Sequence, residues 1–381
     1  MELRDLRNKM DEIDERLVKL FCERMDTAGK IAEYKKEKSM PVLDASRERE
    51  KLSEVVNEAG ETMGDYTSVL YSLLFELSRA YQGKLLKENS EIQEKVSYAI
   101  ENTNKLFPQK ASVACQGVEG AYSQLACEKL FKLPSILYFR DFDNVFSAIE
   151  NGLCDYGVIP LENSTAGSVN KVYDLMIKHD FSIIRSVRIK VDHSLVAKRG
   201  TKLENVKEVF SHEQAINQCS EFLNSLGKDV KITAVENTAA AAKMVSESQR
   251  TDVAAICSHS CVELYGLKCL SSAIQDKGNN YTRFICISKN LEIYPGADRT
   301  SIMLVTAHKP GALYKVLARF YALGINLIKL ESRPLPDRDF EFMFYFDLDT
   351  SIYSEQFIEL LGELQYVCEE FKYLGSYSEV V

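Results

Sequence analysis

The chain has 381 residues, a length that predicts two or three domains at about 150 residues each. Its composition, 45% hydrophobic and 27% charged, excludes a disordered, collagen-like or low-complexity protein. A net charge of -9 argues against a nucleic-acid partner, because phosphate binding needs a basic surface, and any anionic ligand must be held by local cations.

The N-terminus mixes charges with isolated apolar residues and has no apolar core of a signal peptide, and no run near 18 apolar residues suggests a membrane span. Ten scattered cysteines without CxxC pairs and five scattered histidines read as reduced thiols in a cytoplasmic protein, with no metal site.

Residues 1–90 read as all-helical. Before Pro41 there is one glycine, Gly29, and apolar residues recur at Leu3, Leu6, Met10, Ile13, Leu17 and Leu20, a heptad stripe. The same register brings Arg24, Ile31 and Lys38 onto the seam, so Arg24 interrupts it. A second helix is expected near Ala45 and a third near Asp65. A first helix of about 36 residues spans about 54 Å, more than two short partners cover, which predicts an intertwined homodimer or higher oligomer. Arg24 and Lys35 are three turns apart on one face, while Arg7 lies about 25 Å away and reaches Arg24 only from an antiparallel partner. Such cations suit a dicarboxylate, or are solvated interfacial charges.

A linker helix is expected over 91–109, and strand and helix patterns alternate over 110–290, predicting an α/β region with mainly parallel sheets. Ile183 to Ala197 reads as a crossover between two lobes. Polar motifs fall at strand–helix junctions: GVEGAYS with Ser123, ENSTAGS with Asn163 and Thr165, Ser211 spaced as a capping box with Gln214, and YTRF with Thr282 and Arg283. Each motif taken alone also fits plain capping and turn chemistry, and His212, following the expected cap, reads as structural. Residues 298–377 run βαββαβ, a ferredoxin-like α+β order. Its second hairpin strand has Phe340, Phe342, Phe344, Phe346 and Leu348 on one face and Glu341, Met343, Tyr345 and Asp347 on the other, predicting a half-buried strand.

Three resemblances sharpen this reading. LRNKMDEIDERLVKLFCER, IAEYKKEK, PVLDASRERE and FELSRAYQ resemble the all-helical chorismate mutase family. That resemblance implies that Arg7 (from the partner chain), Arg24 and Arg47 hold the carboxylates of chorismate or order the site. It implies that Lys35 and Gln82 bond the breaking ether oxygen, and that Asp44, Glu48 and Ser78 meet its other polar groups. CQGVEGAYSQLA, DYGVIPLENSTAGSVNKVYDL, SHEQAINQC, ENTAAAA and IQDKGNNYTRF resemble prephenate dehydratase. Here the resemblance implies a two-lobed domain like the periplasmic binding proteins with prephenate in its cleft. Thr282 would help protonate the leaving hydroxyl, and Asn163, Ser211 and Gln218 would position or polarise the substrate. Arg283, Ser123 and Thr165 would meet carboxylates or pack the cleft. KPGALYKVL and LESRPLP resemble the ACT regulatory domain and imply allosteric phenylalanine near Gly311, Ala312, Leu313, Glu331, Ser332, Arg333 and Pro334. The expectation is a bifunctional enzyme of phenylalanine synthesis. The alternatives are a dehydratase whose helices only dimerise it, or a non-catalytic ligand sensor.

Overall fold

The computed structural model describes residues 2–38, 40–41, 44–86, 90–335, 338 and 341–381. They form two compact units, one of residues 1–93 with 361–367 and one of residues 94–360 with 368–381.

In the first unit, α1 (Leu3–Glu37) runs against α2 (Ala45–Leu86). The contact is made by small residues: Ala28, Gly29 and Ala32 are buried, and a Cβ on Gly29 would lie 3.0 Å from Leu85 Cδ1. A small-residue stripe lets two helices approach closely, so the pairing depends on shape rather than on large side chains. The expected break before the third helix falls at Gly60, whose φ of 71° and ψ of 174° interrupt α2, not near Asp65. The heptad stripe is left open in the single chain, with Leu3, Met10, Leu17 and Leu20 each 58–64% exposed.

The second unit begins within α3 (Glu91–Asn102) and contains three sheets. The first comprises β1 (Lys110–Gln116), β2 (Leu133–Phe139), β3 (Tyr156–Asn163), β4 (Gly167–Ser168), β5 (Ser182–Lys190), β11 (Tyr281–Ser288) and β16 (Glu379–Val380). Its order is β16-β5-β11-β3-β1-β2, with β4 on β3. Helices α4 (Tyr122–Leu130), α5 (Phe142–Glu150) and α6 (Asn170–Lys178) connect its strands. The second sheet has β6 (Ser194–Ala197), β7 (Glu208–Ser211), β8 (Lys231–Ala234), β9 (Val253–Cys257) and β10 (Lys268–Ser271), in the order β10-β6-β9-β7-β8. With it go α7 (Glu213–Gln218), α8 (Ser220–Ser225), α9 (Thr238–Glu247) and α10 (Ser260–Leu264).

The chain passes out through β5 and β6 and returns through β11. Both sheets are therefore mixed rather than mainly parallel: β11 runs antiparallel to β3 and β5, and β6 antiparallel to β9 and β10. Eight of the ten cysteines are buried, so these thiols act as packing groups, whereas Cys22 is exposed.

The third sheet, β12 (Arg299–Val305), β13 (Asn326–Pro334), β14 (Phe342–Asp349) and β15 (Glu370–Tyr377), has the order β13-β14-β12-β15. With α11 (Ala312–Ala322) and α12 (Glu355–Val367) this is the ferredoxin-like arrangement. Strand β14 is not half-buried: Met343, Tyr345 and Asp347 are buried as well as Phe346 and Leu348. The face read as polar packs on the first sheet, sharing one core with Ile183, Ile285, Tyr173 and Leu374. Phe340 lies outside the described residues. At the closest crossing, a Cβ on Gly375 (φ 138°) would overlap the Ile183 carbonyl oxygen, so only glycine fits there.

Candidate active sites

In the helical unit, Arg24 from α1 reaches α2, donating to the Leu74 carbonyl at 3.2 Å and to Ser78 Oγ. Ser78 in turn donates to the Leu74 carbonyl at 2.8 Å, so its hydroxyl proton is committed and its oxygen faces the guanidinium. One turn further along α2 the Gln82 side chain is buried, and its Oε1 finds no partner among the described residues. Its free atom is an acceptor, which suits a donating group on a polar ligand. Lys35 is half-buried. Glu48 pairs with Arg79, Arg47 pairs with Glu50 at 2.7 Å in solvent, and Asp44 Oδ1 accepts the Arg47 N–H at the start of α2. Thus one chain brings Arg24 and Ser78 together, with the buried Gln82 one turn further along α2, and leaves Arg7 and Arg47 exposed.

The second site lies between the two α/β lobes, at a cavity of about 490 Å³. That is within the usual size of small-molecule sites, about 300–1,000 Å³. It is lined by Thr165 and Ala166 from the turn after β3, by His212, Glu213, Gln214, Asn217 and Gln218 of α7, and by Gln275–Lys277 and Asn280 before β11. Among these, Lys277 is the basic side chain suited to a carboxylate, while the Asp276 carboxylate is occupied with the Ser220 and Glu221 N–H groups.

Behind Thr165 a closed hydrogen-bond circuit fixes every amide. The backbone N–H groups of Thr165 and Ala166 donate to Asn163 Oδ1 at 3.0 and 2.9 Å, which assigns that atom as oxygen. Asn163 Nδ2 must then donate, and it does so to Asn280 Oδ1 at 2.7 Å and to Thr282 Oγ1 at 2.9 Å. Asn280 donates to Gln218 Oε1 at 3.0 Å, Gln218 donates to Thr165 Oγ1 at 2.9 Å, and Thr165 closes the circuit on Asn163 Oδ1 at 2.7 Å. The consequence falls on Thr282. Its oxygen accepts from Asn163, so its own proton remains available to donate to a ligand.

The remaining expected residues lie elsewhere. Ser211 is fully buried and donates to the Ile256 carbonyl at 2.8 Å, because the first free position after β7 is the next residue. The helix cap is therefore His212, whose Nδ1 accepts the Gln214 N–H at 3.3 Å, and the residue also lines the cavity. Ser123 is buried in α4 and does not line the cavity. Arg283, one residue after Thr282, points to the opposite face of β11. There it pairs with Glu162 at 2.8 Å and with Asp347 of the third sheet. Burial opposes its charge, but Asp347, Tyr377, Tyr345 and Glu162 outweigh burial and raise its pKa.

Sequence reasoning missed Asn280 and His193. His193 is buried in the crossover, with Nε2 2.9 Å from Gln218 Oε1, which accepts and so requires Nε2 to hold the proton. Burial lowers its pKa, which keeps it neutral. The only trace of either was a polar side chain beside a strand end, in VDHS and NNYTRF.

In the third sheet's module, Gly311 takes φ 79° at the cap of α11, with Ala312 and Leu313 in its first turn. Along β13, Glu331 accepts from Ser168 at 2.6 Å and Arg333 makes a two-pronged pair with Asp174 at 2.8 and 3.0 Å, so both face the first sheet. Ser332 and Pro334 alternate with them and are exposed.

Comparisons with known proteins identify both regions by family. Residues 113–292 match the sequence model of prephenate dehydratase, and residues 6–83 that of chorismate mutase type II. The bifunctional chorismate mutase/prephenate dehydratase of Escherichia coli is 31% identical over 381 residues, covering 98% of this chain and 95% of that protein. Arogenate dehydratase 2 of Petunia hybrida is 37% identical over 282 residues, covering 70% of this chain and 71% of it. Among solved structures, a prephenate dehydratase from Arthrobacter aurescens in complex with L-Phe superposes with a TM-score of 0.65 at 26% identity, covering 70% of this chain and 90% of that one.

Proposed function

This chain belongs to the family of bifunctional chorismate mutase/prephenate dehydratases, and we propose from that premise how its own residues divide the two reactions. It rearranges chorismate to prephenate in the helical unit, then removes water and carbon dioxide from prephenate to give phenylpyruvate. The first step is an intramolecular [3,3] shift without nucleophile or proton transfer. It needs a held conformer and charge stabilisation at the ether oxygen. Arg24, oriented by Ser78, and the buried amide of Gln82 meet that need, joined by Lys35 and by Arg7 of a second chain across the exposed heptad stripe. Asp44, Arg47 and Glu48 complete the polar surround. The unpartnered apolar stripe of α1 supports this homodimer.

In the second step the bond from the ring to its carboxylate breaks as carbon dioxide leaves. The electron pair enters the ring, and the ring hydroxyl departs, taking up one proton to become water. The Thr282 hydroxyl donates to that departing oxygen, and the directionality of its bond to Asn163 is the observation that supports the role. Gln218 and Thr165 hold the circuit, and Lys277 offers a carboxylate partner. Ser211, Ser123 and Arg283 act from behind by packing.

The third sheet's module acts as an ACT-type effector domain for phenylalanine, in keeping with the L-Phe complex of the Arthrobacter relative. Gly311, Ala312, Leu313, Ser332 and Pro334 would touch the effector, while Glu331 and Arg333 hold the module to the first sheet. A coupled assay tests the division. Arg24→Ala should lose only conversion of chorismate, and Thr282→Ala only conversion of prephenate; loss of both by either variant refutes it. A second reading, arogenate as the dehydrated substrate, is favoured by the Petunia relative and by Glu213 at the cavity, which suits an ammonium. Parallel turnover of prephenate and arogenate decides between them.

A further inference from the structure

Strands β3 and β11 pair so that Thr282 lies opposite Asn163 and Arg283 opposite Glu162. Side chains alternate along a strand, so these are adjacent rungs facing opposite ways. The Thr282–Asn163 rung lies behind the cavity, joined to it through Thr165, which lines it. The Arg283–Glu162 rung faces the third sheet, and both of its members are held from there.

Lys329 of β13 pairs with Glu162 Oε2 at 2.7 Å and donates to Ser168 Oγ at 2.8 Å, beside the turn that carries Thr165 and Ala166. Asp347 of β14, 1% exposed, pairs with Arg283, 3% exposed. Its other oxygen accepts from Ser301 at 2.5 Å and from Tyr345. Tyr173 packs edge-on against Tyr345, with ring centroids 5.0 Å apart, and lies under the Lys329 ammonium at 5.7 Å. The interface is therefore a row of alternating charges with few alternative partners.

We propose that Lys329 and Asp347, both outside the dehydratase lobes, are positioning residues for the dehydration step. They hold the Glu162–Arg283 rung, and through the two shared backbones they set the distance between Thr282 and Asn163. This rests on the assignment of Thr282 as donor. Removing the cation at 329 leaves the part-buried Glu162 carboxylate with Arg283 alone. Because the same peptide links Glu162 to Asn163, the rung's adjustment is passed to the donor. Displacements well under the length of a bond are enough, since misplacing a reacting group by 1 Å lowers rates by about 10²-fold.

The test uses the full chain in four variants, Lys329→Met, Lys329→Arg, Asp347→Asn and Thr282→Val, each assayed for both activities and for thermal unfolding. For Lys329→Met the expected result is a fall of at least tenfold in kcat on prephenate, with KM within threefold and the mutase rate unchanged. Lys329→Arg, which keeps the cation, should stay within threefold of the original kcat. Asp347→Asn gives a second, independent reading of the same loss. Unchanged kcat in both Lys329→Met and Asp347→Asn overturns the proposal. So does a loss that tracks a lowered unfolding midpoint and is not relieved in Lys329→Arg, which would mark these residues as purely structural. Thr282→Val separates the two levels: if it stays active, the donor assignment itself fails; if it is inactive while Lys329→Met is unaffected, only the positioning role fails.

Discussion

Thr282→Val is the sharpest probe of the dehydration site, because valine keeps the shape and β-branching of threonine and removes only the hydroxyl. In the resting structure the change removes one hydrogen bond, from Asn163 Nδ2 at 2.9 Å. The Asn163 amide retains Asn280 Oδ1 at 2.7 Å and the Tyr281 carbonyl at 3.3 Å, so no buried donor is orphaned. The folding penalty is then about 0.5–1.5 kcal/mol, the net worth of one such bond. That corresponds to a shift in Tm of roughly 1–3 °C for a unit of this size. On the proposed assignment the missing proton faces an oxygen leaving as hydroxide, where losing one preorganised donor lowers kcat by about 10²–10³, or about 2.7–4 kcal/mol. The expected signature is therefore a rate loss far larger than the stability loss, with KM nearly unchanged. Phenylpyruvate formation from saturating prephenate measures it, and Thr282→Ser should retain most of the rate. A Thr282→Val enzyme with more than a tenth of the original kcat would refute the assignment of the free proton.

Three further outcomes follow from the geometry. Gln82→Glu should make the mutase acid-dependent, gaining about tenfold per pH unit as pH falls toward the carboxyl pKa near 4.3. The unsubstituted enzyme, whose amide donates without protonation, should give a flat profile over the same range. Leu17→Glu, at a position 58% exposed in one chain, should dissociate the proposed dimer and abolish mutase turnover; light scattering that still shows a dimer with full activity contradicts the shared site. Glu208 is held down to a pKa of about 2 by hydrogen bonds from Arg250, Lys231 and Thr233. A carboxylate depressed in the folded state adds stability that is fully present above its unfolded pKa, about 4.3, and is lost as pH falls through its folded value. Glu208→Gln should therefore lower the urea midpoint near neutral pH and make little difference near pH 2; an equal difference at both refutes the linkage.

The order of modules was legible because local pattern and tertiary burial agree there. The stripe from Leu3 to Leu20, the strand–helix alternation and the βαββαβ order each follow from periodicity. Site residues were legible where motif and strand parity coincide, as at Asn163 and Thr282. They were not legible where one residue of phase decides the direction. Ser211 and His212 sit on either side of a strand end, and only the hydrogen bond to Ile256 tells which one caps α7. Asp347 read as solvent-facing because a charge at an alternating position normally is. Its partner, Arg283, is 64 residues away in sequence, and no local signal connects the two. Asn280 and His193 were hidden for a similar reason: their meaning lies in Gln218, which contacts them from the other lobe.

The short strand β16 has a consequence in time as well as in space. It covers the edge of β5, and Glu379 there pairs with Arg188 and Arg299 at 3.0 Å each. Every other strand of that sheet has been made once β11 is complete. Residues 379–380 emerge about 90 residues later, a delay of roughly 5–18 s at synthesis rates of 5–20 residues per second. Through that interval the nascent dehydratase sheet presents an uncapped edge, a template for pairing with neighbouring chains. Strand β16 thus joins that sheet later than any of its other strands. Slowing translation over the ferredoxin-like module would lengthen exposure of an otherwise finished sheet and lower the yield of soluble enzyme without altering a single contact in the mature fold.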